Sequence, residues 1–164
     1  AKAATKQIFN NNLNFPFSSK AVEINKNMTF DVMTEIKNRF NKKILGKRVL
    51  LLGVSYREDT NDTRYSPAEG VFKFLNKMRC KVSFYDPIVN YWEYTKNYSI
   101  EKKYLNNFDV YIYLIGHQIF KRLEIRYKRK SLILDLNHVL QKKIKLKILN
   151  NKNYTSFFIG SKQS

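Results

Sequence analysis

The sequence predicts an α/β fold, a Rossmann-like open parallel sheet with flanking helices, preceded by a long connecting helix. Short apolar runs at 48–53, 80–85, 109–115, 131–135 and 155–159 have the length and content of buried parallel strands. Helical patterns and polar loops separate them, which calls for parallel, right-handed crossovers. Four runs end on Gly53, Asp86, Gly116 and Asp135. These residues are expected to meet on one rim, since ligands of such sheets bind at the carboxyl ends of strands.

Taken in order, residues up to about Phe17 show no periodicity, with Asn10–Asn14 read as a loop and Pro16 as a breaker. From Ser18 the apolar residues Ala21, Ile24, Met28, Val32, Met33, Ile36 and Phe40 recur at helical spacing, and Gly46 closes the segment before the first strand. In isolation, part of that stripe lacks a partner. Beyond Gly53 lies a long polar loop to Pro67. There Ser66-Pro67-Ala68-Glu69 forms a capping box, with Ser66 accepting the Glu69 amide and the Glu69 carboxylate reaching back. Ala68, Val71, Phe72, Leu75 and Met78 then give the next helix its apolar face.

The loop before that helix carries the candidate chemistry. It combines a helix N-terminus, which favours an anion, with the guanidinium groups of Arg57 and Arg64. Two interpretations stand side by side: the arginines grip a phosphorylated ligand, or Glu58, Asp59 and Asp62 pair with them and hold the loop in shape. Gly53 stands alone, without the G-x-G-x-x-G of dinucleotide sites. Asp86, at the end of the second strand, suits either a ribose hydroxyl or a turn before Pro87. Cys80 reads as a packing residue, and Trp92 with its tyrosine neighbours as a cover for the sheet edge. His117 alone is a weak signal, and no metal-ligand spacing accompanies it. The lysines at 142–147 read as a solvated surface.

The 164-residue length suits one domain with an appendage, no apolar run reaches membrane-spanning length, and the start lacks a signal-peptide core. One cysteine fits a reducing cytoplasm. The net charge of +18 raises binding to nucleic acid or an acidic membrane. Lysine dominates, however, and is spread along a chain rich in Asn, Ile and Tyr, as AT-rich codon usage produces. Such a chain is expected to stick to polyanions in a salt-sensitive way without reading sequence.

The motifs at 46–59, Asp62-Thr-Arg-Tyr-Ser-Pro67, Tyr85-Asp86-Pro87 and Tyr91-Trp92, in that order, resemble the C-terminal domain of the UDP-glucose/GDP-mannose dehydrogenase family. The similarity is greatest to its Vi-antigen-type branch, which oxidises UDP-N-acetylhexosamines at C6, and Gly116-His117-x-x-Phe120 fits the same branch. The resemblance implies that residues 1–45 end a central helical, dimerising region and that 46–164 form the nucleotide-sugar (UDP)-binding domain. It assigns Tyr56 and Arg57 to the nucleotide-sugar and matches Arg64 to the motif arginine. Asn137 and His138 stand where relatives usually carry lysine or arginine, Val22 where many have arginine, and Thr29 where many have proline.

The family's reaction is two successive NAD-dependent oxidations, which need a Rossmann domain for the nicotinamide and a cysteine thiolate for a thioester intermediate. Cys80 lies in the wrong segment. The resemblance therefore implies no catalytic residue in this stretch, NAD held by a separate N-terminal domain, and a cytoplasmic, polysaccharide-precursor role. Partners would be a UDP-sugar, that NAD domain and a second copy joined through the helix. The alternatives are a non-catalytic assembly fragment pairing through Val32, Met33, Ile36 and Phe40, and charge-driven nucleic-acid binding.

Overall fold

The computed structural model describes residues 16–40, 44–135 and 137–158. The loop expected at Asn10–Asn14 and the side chains of Ala21, Val22, Ile24 and Met28 fall outside the described residues. The chain opens with α1 (Pro16–Phe40), then β1 (Arg48–Leu52), α2 (Pro67–Lys77) and β2 (Lys81–Tyr85). A small antiparallel hairpin, β3 (Tyr91–Trp92) and β4 (Asn97–Tyr98), leads to β5 (Val110–Tyr113). A 3-10 turn at Gln118–Arg122, β6 (Leu132–Asp135), α3 (Lys142–Leu149) and β7 (Thr155–Phe158) complete it. No helix among the described residues is long and apolar enough to cross a membrane.

The sheet has the order β2-β1-β5-β6-β7 and every pair in it is parallel. The chain leaves β1 on one side for β2 and on the other for β5, so the strand order reverses between the ends of β1 and β5. In doubly wound sheets that reversal opens a crevice for ligands. Side chains alternate between two cores, as a pleated strand dictates. Val49, Leu51, Val110, Ile112, Leu132 and Leu134 face α1 and α2, whereas Leu50, Leu52, Tyr111, Tyr113 and Ile133 face Phe120, Leu123 and Ile148 of α3.

One sequence expectation changes here. Pro16 opens α1 rather than breaking it, because the first turn of a helix has no use for the missing amide. In the described half of the α1 stripe, Val32 and Ile36 are fully buried in this chain's own core, with Met33 and Phe40 packed against it. Each such burial contributes about 1.5–3 kcal/mol. Gly70 lets the helices approach, since a Cβ there would sit 2.9 Å from the Thr29 Oγ1. Thr29 Oγ1 in turn donates to the Pro67 carbonyl at 3.4 Å.

Trp92 is fully buried rather than merely covering an edge, edge-on to Phe72 and Phe84 at 5.7 and 5.5 Å. Cys80 is buried with its thiol directed at the Ile44 carbonyl, and burial pushes its pKa up to about 11, which suits packing rather than nucleophilic chemistry.

Candidate functional site at the switch point

The end of β1 is shaped by Gly53, whose φ of +85° lies in the left-handed region. A Cβ there would stand 2.7 Å from the Ile115 Cβ, so glycine allows the ends of β1 and β5 to touch. The chain then turns its amides toward Asp86: Val54 N–H donates to Oδ2 at 2.8 Å and Ser55 N–H at 3.4 Å. Oδ1 accepts the amides of Ile88 and Val89, each at 3.0 Å. Burial pushes the Asp86 pKa up, but the hydrogen bonds from His117 and from these amides outweigh it and hold the carboxyl below its usual range. Asp86 thus spends its oxygens inside the protein, and the sequence alternative of a turn-forming aspartate is what the structure contains.

His117, also fully buried, completes the cluster. Its Nε2 lies 3.1 Å from Asp86 Oδ2 and 3.2 Å from Ser55 Oγ. Its Nδ1 accepts the Asp59 amide at 3.1 Å. An amide can only donate, so Nδ1 holds a lone pair and the ring proton sits on Nε2, toward Asp86 and Ser55. Serine, histidine and aspartate are together here without forming a nucleophilic relay. Both partners share one ring nitrogen, and the Ser55 hydroxyl donates instead to the Arg57 carbonyl at 2.7 Å.

The same loop is tied down at both ends. Tyr56 N–H donates to the Asp62 carbonyl at 2.6 Å. Ser66 Oγ donates to the Ser55 carbonyl at 2.9 Å and, as N-cap of α2, accepts the Ala68 amide at 3.1 Å. The cap is the predicted one with shifted partners: Glu69 N–H reaches the Ser66 carbonyl, and its carboxylate takes the Tyr65 amide. Between these anchors the loop displays Arg57 and Arg64 to solvent and keeps Tyr56 half-buried.

The two arginines differ. Arg64 is held bidentately by Asp62, at 2.9 Å from Nε and 2.8 Å from Nη2, so the loop-shaping alternative describes it. That side-chain hydrogen bond, with the Arg64 amide, draws the Asp62 pKa down to about 2. Among the described residues no ion pair holds the Arg57 guanidinium. Of the two loop arginines, Arg57 is the one not committed to a carboxylate.

On the far side of the crevice, Asp135 ends β6 and accepts the amides of Val139 at 2.9 Å and Leu140 at 3.0 Å. Asn137 Nδ2 donates to the Leu114 carbonyl, joining the ends of β5 and β6. His138 is exposed with a left-handed φ of 52°. Lys142, Lys143 and Lys147 are exposed on α3, as expected, but Lys145 departs from that reading and turns inward, its ammonium 3.1 Å from Asp135 Oδ2 and 3.5 Å from His138 Nδ1. A cation thus stands beside Asn137 and His138, supplied from a helix rather than from the loop. Ser55 and Lys145 were not singled out by sequence, because their roles depend on partners far along the chain or on which helix face turns inward.

Two features of the usual dinucleotide site are not met among these described residues. The acid that would take a ribose hydroxyl is buried and fully occupied, and the turn after β1 holds a single glycine. A cavity of about 240 Å³ lies elsewhere, between β2 and the hairpin, walled by Phe72, Val82, Phe84 and Trp92. None of the loop amides or cations of the rim, which have the chemistry for a charged ligand, lines it.

Comparison with known proteins places this geometry in context. The sequence profile of the UDP-glucose/GDP-mannose dehydrogenase family, UDP binding domain, matches residues 50–142. The chain is 32% identical, over 82% of its length, to a UDP-N-acetyl-D-mannosamine dehydrogenase of Methanococcus aeolicus, of which it spans 30%. It is 33% identical, over 71% of its length, to the UDP-N-acetyl-D-glucosamine 6-dehydrogenase of Salmonella typhi, of which it also spans 30%. Its fold matches the crystal structure of an NDP-N-acetyl-D-galactosaminuronic acid dehydrogenase from Methanosarcina mazei with a TM-score of 0.65 at 21% identity, covering 82% of this chain and 29% of that one. The chain, spanning about a third of the length of these relatives, belongs to the UDP-glucose/GDP-mannose dehydrogenase family and carries that family's UDP binding domain.

Proposed function

We propose that this chain binds the nucleotide-sugar of a UDP-sugar 6-dehydrogenase, as the C-terminal part of an NAD-dependent enzyme that converts a UDP-N-acetylhexosamine to its uronic acid. The observation that carries this reading is the rigid loop at the strand-order reversal. Asp86 and His117 fix its base, and it presents Tyr56 with an Arg57 that no described carboxylate holds in an ion pair. Arg57 would meet the diphosphate bidentately and Tyr56 would cover the base or sugar. Arg64, being committed to Asp62, would shape the loop. Asn137, His138 and Lys145 would border the crevice from β6. Hydride transfer and the covalent thioester belong to residues not found here; Cys80 is too deeply buried to serve. NAD would be held by a separate domain.

Titration calorimetry with UDP, UDP-N-acetylglucosamine and NAD at two salt concentrations tests this. UDP binding that survives salt and is lost in Arg57→Ala, with no NAD binding, is expected. No preference for UDP over inorganic phosphate would overturn it.

An assembly role through α1 is the second reading. Val32 and Ile36 are consumed by the chain's own core, so a helix-mediated homodimer would have to use residues such as Phe30, which is 66% exposed. A monomer in sedimentation, alone and with the NAD domain of a relative, would remove this reading.

A further inference from the structure

We propose that His117 is the positioning residue of the nucleotide loop, setting the place of Arg57 by accepting the Asp59 amide; this rests on the nucleotide-binding reading above. Packing alone does not require a histidine here. The site is fully buried and Phe120 lies edge-on to the ring at 5.3 Å, an environment that a phenylalanine or leucine would also fill. The imidazole is instead used on both sides. Nε2–H serves the interior, where Asp86 needs a donor, and Nδ1 serves the loop.

What Nδ1 holds is costly to hold. Asp59 has a φ of 54°, left-handed backbone for a residue with a Cβ, and its own carboxylate is more than half exposed. Without that acceptor the Asp59 amide has no hydrogen-bond partner among the described residues, and an ordinary turn would serve as well. Arg57 lies two residues upstream, and its carbonyl is fixed by Ser55, whose hydroxyl also contacts Nε2. One ring therefore links the end of β5 to both sides of the arginine. It does so without touching the ligand, which makes it a positioning residue and not a catalytic one.

The two nitrogens can be separated by substitution. Asparagine places its carbonyl oxygen at the bond distance of Nδ1 and keeps the acceptor for Asp59, while losing the donor to Asp86. Glutamine can place its NH2 where Nε2–H was and keeps the Asp86 side, while losing the loop acceptor. The test is to titrate the 164-residue chain and its His117→Asn and His117→Gln variants with UDP. Urea midpoints and the exchange rate of the Asp59 amide are measured alongside.

In His117→Gln the affinity for UDP should fall about tenfold and the Asp59 amide should exchange about tenfold faster, as loss of one buried hydrogen bond produces. In His117→Asn affinity should stay within about twofold of the parent, even though its urea midpoint drops. Affinity that falls as far in asparagine as in glutamine, following stability alone, would overturn the proposal. If the parent chain binds no UDP, the nucleotide-binding reading fails and exchange decides this one: faster in glutamine than in asparagine sustains it, equal or reversed rates refute it. Should neither variant fold, the nitrogen-15 spectrum of the parent imidazole decides. A proton on Nε2 alone is required, and one on Nδ1 rules the proposal out.

Discussion

Asp86 and Asp135 occupy equivalent places, each ending a strand of the same sheet, each buried, and each accepting two amides of the loop that follows. They differ in reach. Asp135 is completed by Lys145, ten positions along the chain, and so staples α3 to its own strand. Asp86 is completed by the Val54 amide, from the strand before it in sequence, and by His117, from the strand after. It ties together three strand ends across the point where strand order reverses. The same side chain at the same kind of position is a local clamp in one half of the rim and the keystone of the crevice in the other.

Asp86→Ala should show this difference most. Deleting the carboxylate strands the Val54, Ile88 and Val89 amides and the His117 Nε2–H in a dry place, which costs about 3–5 kcal/mol. Asp135→Ala removes fewer and more local partners and should cost about 2 kcal/mol, since Lys145 can swing to water. Urea unfolding of both variants measures it, and equal losses would break the distinction. The glycines sharpen the same contrast. Gly53→Ala forces a Cβ into the left-handed region and to within 2.7 Å of Ile115, for about 2 kcal/mol or more. Gly116→Ala meets nothing closer than 3.7 Å and should shift the urea midpoint within error. A soft Gly53 would mean that β1 and β5 are not held together as described.

These contrasts also explain what the sequence made legible. Apolar runs between polar loops located the strands and their parallel pairing because burial and periodicity are local signals. The convergence of Gly53, Asp86, Gly116 and Asp135 followed from chain direction alone. Whether Asp86 faced a ligand or the interior did not follow, because its partners are 31 and 32 residues away. The two arginines look alike in the sequence, and the Asx turn that commits Arg64 to Asp62 distinguishes them only in space. Lys145 was hidden among neighbours that face water, since a two-residue step around a helix, to Lys143 or Lys147, separates a buried pair from a solvated charge.

Acid should separate the aspartates further. The folded Asp86 carboxyl lies below its ordinary pKa, so the unfolded chain binds its proton more readily. Its contribution is complete above the unfolded value of about 4 and is lost as pH falls through the lower, folded value. The urea midpoint of the parent chain should therefore decline below about pH 4. In Asp86→Asn, which starts less stable, that decline should be shallower by the share that Asp86 supplies. Parallel declines in the two proteins would mean that the acid sensitivity arises elsewhere, for instance at Asp109, also held low by the Arg48 amide and Lys128 against the cost of its burial.

Asp62 supplies the smallest effect and the control for all of these. It too is depressed, to about 2, but by an exposed guanidinium rather than by a buried network. Solvent screens such a pair, so its loss should leave the urea midpoint unmoved even though its titration is shifted as clearly as that of a buried group. A carbon-13 titration of the Asp62 carboxyl should give a midpoint of about 2 in the parent and a higher one in Arg64→Ala, still short of the ordinary value of about 4 because the residue-64 amide and Arg57 remain. UDP affinity should fall less in Arg64→Ala than in Arg57→Ala, because Arg64 shapes the loop whereas Arg57 would touch the phosphates. If Arg64→Ala weakened UDP as much as Arg57→Ala, the pair with Asp62 would open on binding. Both guanidinium groups would then belong to the ligand, and the loop would be a jaw that closes and not a fixed cradle.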